Sequence, residues 1–115
     1  MRKFLIPVIA ALYVSNAYSL GSVSAKVEQI RVDGDGGAMI FFDKPLGGTP
    51  AACVDKTNYG NALAVDAATD GGKAVLSMVL TAKASGATVT AYGHGVCGVY
   101  GGNVVEVWNH GFYCN

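Results

Sequence analysis

The sequence predicts a mainly β domain with one packed α-helix, and three observations carry that prediction. The stretch from Thr69 to Cys97 holds a capped segment of period 3.6 that changes to period 2 just after a glycine. Short alternating runs lie on both sides of it, separated by Asp/Gly and glycine-rich turns. The cysteines, Cys53, Cys97 and Cys114, all fall after the apolar N-terminus, which is the usage of an exported chain.

Taken in order, the first element is an address. Arg2 and Lys3 precede the apolar run Phe4 to Val14, shorter than the roughly 20 residues a membrane-spanning helix needs. It reads as a secretory signal peptide removed after Ala17, Ser19 or Ala25, leaving one β-rich domain over residues 26–115, secreted or periplasmic and without a membrane span. Strands are expected at Lys26 to Val32 and Ala38 to Asp43, joined as a hairpin by Asp33-Gly34-Asp35-Gly36-Gly37. That turn lacks the closing glutamate of a calcium loop. Pro45 to Pro50 is a loop, and Ala51 to Val54 and Asn61 to Asp66 are further strands joined by Asp55 to Gly60. Asp70 is placed to cap the helix, Val75, Met78, Val79 and Ala82 form its buried stripe, and Gly86 ends it in the left-handed conformation. Thr88 to His94 and Val104 to His110 then form a second hairpin around the glycine-rich connection Gly95 to Gly102.

This second hairpin is where chemistry could be carried. Symmetric closure sets Tyr92 opposite Trp108, His94 opposite Glu106 and Thr90 opposite His110, with Val89, Ala91, Val105 and Val107 on the other, aliphatic face. The first face then offers Tyr92, His94, Glu106, Trp108 and His110 as candidate ligand-binding residues, the rings as stacking platforms and the polar groups as orienting hydrogen-bond partners. If another element covers that face, Trp108 is instead its largest core residue.

Three cysteines allow three pairings. Cys53 with Cys97 is the first choice, since each ends an expected strand and the loop between them contains the helix; Cys114 is then the odd thiol. No metal site is expected, because there is no C-x-x-C and His94 has only Cys97 near it. No catalytic constellation or cofactor is expected either: the serines lack an elbow motif, no carboxylate pair demands a glycosidase, and Gly71-Gly72-Lys73 lacks the first glycine of a phosphate loop. Without Arg2 and Lys3, six basic residues stand against eight acidic ones, a formal charge of −2. With no basic run, nucleic acid is excluded as an expected partner.

The segments GGKAVLSMVLTAKASGATVTAYGHGVC and VVEVWNHGF, with Cys53 as partner for Cys97, resemble in pattern the small secreted OB-like barrels that include binding subunits of subtilase-type AB toxins. The resemblance covers the C-terminal half. It implies an OB-like five-stranded barrel, or a half-barrel sheet packed on a helix, and a non-enzymatic module binding a glycan or another cell-surface ligand, in some members as a homo-oligomeric ring. The alternatives are a self-assembling envelope protein and a small secreted hydrolase or enzyme inhibitor.

Overall fold

Five strands close into a ring around one helix-capped core. The computed structural model describes residues 20–114, with side chains as far as Tyr113. Residues 1–19, the body of the expected leader, lie outside the described residues, as does the side chain of Cys114. The elements are β1 (Gly21–Val32), β2 (Gly37–Phe42), β3 (Gly47–Gly48), α1 (Lys56–Tyr59), β4 (Ala62–Asp66), α2 (Asp70–Ser85), β5 (Thr88–Cys97) and β6 (Glu106–Cys114). The sheet runs β2-β4-β6-β5-β1, and an additional β1–β2 pairing closes it; β3 adds two residues to the start of β1. All pairings are antiparallel except β4 with β6. This is the expected OB-like barrel with one main helix.

β1 closes the ring because it serves two partners. Residues 22–26 pair with β5 and residues 27–32 with β2, and the register shifts between Val27 and Gln29. A bulge there bends the strand, as barrel closure requires. Before the bulge, Gly21, Val23, Ala25 and Val27 point inward in strict alternation. β1 thus starts at Gly21, five residues ahead of the expected Lys26.

The barrel interior is filled by Val23, Ala25, Val27, Ala38, Ile40, Phe42, Leu63, Val65, Val89, Ala91 and Trp108, with Val79 and Ala82 of α2 closing one side. Val75 and Met78 pack against this core at half exposure, so the predicted helical stripe is the packed one. Thr69, not Asp70, is the N-cap: Thr69 is extended (φ −88°, ψ 159°) and its hydroxyl accepts from Gly72 N at 3.0 Å, whereas Asp70 is already helical. Gly72 is also where the helix touches β4. A Cβ there would lie 1.8 Å from the Asp66 carbonyl oxygen, so only glycine lets the first turn dock. Gly86 (φ 71°) ends the helix as expected, followed by an Ala87 N–H to Ala82 O bond of 3.0 Å.

Two further expectations need correction. Ala51 to Val54 is not a strand: Val54 N–H turns back to Ala51 O, and Asp55 then caps the single turn α1 by accepting from Thr57 and Asn58. The second hairpin does not close symmetrically. Its register is Thr90↔Phe112, Tyr92↔His110, Gly93↔Trp108 and Cys97↔Glu106. Asn109 is an extra residue in β6, and such a bulge reverses which side the following residues face. Trp108 therefore joins Val89 and Ala91 inside, while Val105 packs in a second cluster on the outside of β2 and β4.

Candidate functional site

The bulge divides the five candidate residues. Tyr92 and His110 come together on the outer face of β5–β6, their rings stacked 4.7 Å apart at 16°. Tyr92 is half-buried and His110 exposed. Trp108 is 8 % exposed and Glu106 is fully buried, so both lie beneath that face. His94 is exposed, and the expected His94–Glu106 opposition is replaced by Cys97↔Glu106.

The open face continues onto β1. Register aligns Ser22, Tyr92 and His110 in one row and Ser24, Thr90 and Phe112 in the next. The Ser24 and Thr90 hydroxyls are 3.0 Å apart, and Phe112 is 53 % exposed. Sequence reasoning placed Thr90 on this face without making it a candidate, and missed Ser22, Ser24 and Phe112. The signal for the serines was present in the alternation Ser22, Val23, Ser24, Ala25, but those residues overlapped the range of expected cleavage sites.

Beneath the face, Glu106 accepts three backbone N–H groups: Ala51 at 2.8 Å on Oε1, and Gly21 at 2.9 Å and Gly95 at 3.0 Å on Oε2. A buried carboxylate is tolerable when its lone pairs are met in this way. Its space comes from Gly93, where a Cβ would lie 1.9 Å from Oε2. Next to it is the predicted disulfide, Cys53–Cys97, with Cα atoms 6.3 Å apart.

Along the other flank of β6, the pairing with β4 ends after Leu63↔Glu106 and Ala64↔Val107. Beyond that point no strand among the described residues pairs with β6 on this side, and α2 stands across a groove instead. Two adjoining hollows of about 310 and 280 Å³ share Val75, Trp108 and Asn109. The edge of the Trp108 ring is therefore reachable from the α2 side.

The outer face of β2 and β4 is closed. Met39, Ala62 and Ala64 are buried there under Val99, Tyr100 and Val105 of the β5–β6 connection, with Phe41 and Tyr59 alongside. The connection is tied down by the Tyr100 hydroxyl, which donates to Asp33 Oδ2 at 2.5 Å, while Arg31 donates to Asp33 Oδ1 at 3.1 Å and lies over the Tyr100 ring. The Tyr100 hydrogen bond, with help from Arg31, holds the Asp33 carboxyl below its ordinary range. Burial, then the hydrogen bond to Asp33 and its charge, raises the Tyr100 phenol well above its usual value.

Among the described residues, no group of three or more His, Cys, Asp or Glu side chains could hold a metal ion, and no helix is long and apolar enough to cross a membrane. No family model, curated protein or solved structure matches the chain.

Proposed function

We propose that this chain is a secreted, non-enzymatic binding module that takes a glycan or similar polyhydroxylated cell-surface ligand on the outer face of β1, β5 and β6. The observation that carries the reading is the Tyr92–His110 ring stack standing beside the Ser24–Thr90 hydroxyl pair on a face that no other element among the described residues covers. Sugar rings present apolar C–H faces and equatorial hydroxyls. A ring pair flanked by hydroxyls offers both kinds of contact at once. A disulfide suits an oxidising compartment.

The reading is tested on a glycan array with the folded, oxidised chain. Specific binding that disappears in Tyr92→Ala, with the melting temperature preserved, supports it. Binding that survives Tyr92→Ala, or a silent array, removes the face from consideration.

A second reading, self-assembly, is favoured by the edge of β6 beyond Val107, which pairs with no strand among the described residues, since an open strand edge is a template for another strand. Light scattering over a concentration series separates the two. Assembly without ligand that is abolished by a proline on that edge supports the second.

A further inference from the structure

The two cysteines of the disulfide are held by more than their sulfur atoms. Ala51, whose N–H meets Glu106 Oε1, lies two residues before Cys53; Gly95, whose N–H meets Oε2, lies two residues before Cys97. One carboxylate thus grips both segments at the same offset from each half-cystine. Cys97 itself is the register partner of Glu106, and the Gly21 N–H fastens the carboxylate to β1 as well. None of these contacts involves sulfur, so they are equally available to the dithiol.

We propose that Glu106 is a positioning residue for the Cys53–Cys97 bond, holding the two thiols in register so that an external disulfide can close them. The cysteines are 44 residues apart in sequence. In the unfolded chain their mutual concentration is that of the ends of a long flexible loop; the fold raises it, and the clamp removes freedom that the two segments would otherwise keep. Cys53 is exposed and Cys97 half-buried, which leaves a small oxidant access. With oxidised glutathione, one protein thiolate attacks a glutathione sulfur, forming a mixed disulfide and releasing one glutathione thiolate. The second protein thiolate then attacks the protein sulfur of that mixed disulfide and releases the second glutathione. Two protein thiols lose two protons and two electrons, and one glutathione disulfide gains them. Glu106 takes no part in the exchange. Its role is to accept the N–H groups that set the sulfurs side by side, and this requires an acceptor-only carboxylate, because an amide would turn an N–H donor toward one of the three.

The test is an equilibration of the whole chain in glutathione redox buffers, followed by acid quenching and peptide mapping of the Cys53–Cys97 bond. It is run where circular dichroism shows the reduced proteins folded. Glu106→Gln should lower the equilibrium constant for the bond by about tenfold or more, the scale of one hydrogen bond to a charged group. Val79→Ala, a destabilising change in α2 remote from the clamp, should leave it within about threefold, the spread expected of independent sites. If reduced Glu106→Gln does not fold, Ala51→Pro is measured instead, since it deletes one clamp N–H and keeps the carboxylate; the constant should again fall. Wild-type values in the clamp variant measured, or an equal fall in Val79→Ala, would overturn the proposal.

Discussion

The barrel has two outer faces built from similar strands, and they have opposite fates. On β2 and β4 the outward positions are Met39, Phe41, Ala62 and Ala64, and the β5–β6 connection lies over them as a second small core. On β1, β5 and β6 the outward positions include Ser22, Ser24, Thr90, Tyr92 and His110, and among the described residues no second cluster packs over them. The difference follows from composition. Small and apolar outward residues gain by recruiting a cover, whereas hydroxyls and polar rings lose hydration if covered without partners. The covered face is part of the folded core, and the other is the one on which we propose that a ligand is recognised.

The largest effect should come from the interior that both faces share. Val79 is fully buried between α2 and the sheet, so Val79→Asp forces an unpaired carboxylate into the core and should leave no cooperative thermal transition by circular dichroism. Trp108→Ala should cost about 3–5 kcal/mol in denaturant unfolding, the loss typical of a large buried ring. A Trp108→Ala protein as stable as the wild type would return that ring to the surface.

The two faces separate at the next level. Met39 is 2 % exposed, so Met39→Ala should cost about 2–5 kcal/mol although it lies outside the barrel. Tyr92→Ala should change stability by no more than about 1 kcal/mol, little beyond an ordinary surface substitution, because the half-buried ring lies outside the core and stacks on the exposed His110. Equal costs measured by urea unfolding would erase the distinction. A stable Tyr92→Ala protein that has lost ligand sharpens it.

The elements legible from sequence were those with local causes. Gly86 ends α2 because a left-handed residue is needed there, and the turn from Asp33 to Gly36 closes with a 3.0 Å bond between Gly36 N–H and Asp33 O. The Cys53–Cys97 pairing was also within reach, although only Cys97 ends a strand and Cys53 lies in the turn before α1. What was not legible depended on distant partners. Nothing in the residues around Asn109 announces a bulge, yet that one residue sends Trp108 inward and brings His110 beneath Tyr92. The turn at Ala51 reads as a strand until Glu106, far along the chain, takes its N–H. Likewise the apolar residues of β2 on both faces could be read as a buried strand, but not what would cover the outer one.

The smallest expected effect concerns the tie that holds the cover in place. Tyr100→Phe removes the hydroxyl that meets Asp33 but keeps the ring over Met39 and Gly37, so the loss in melting temperature should be modest and dependent on pH. Asp33 has its carboxyl held below the ordinary value of 3.8, so its contribution is present above that value and fades as pH falls and the folded protein takes up the proton. Tyr100 is raised from 10.0, so the unfolded chain ionises first and the contribution is lost again as pH rises beyond that point. The difference in melting temperature between Tyr100→Phe and wild type should therefore be flat between those two values and shrink on both sides. A difference that keeps its size below pH 3.8 would mean that Asp33 does not hold the tie, and the closed face would then rest on apolar packing alone.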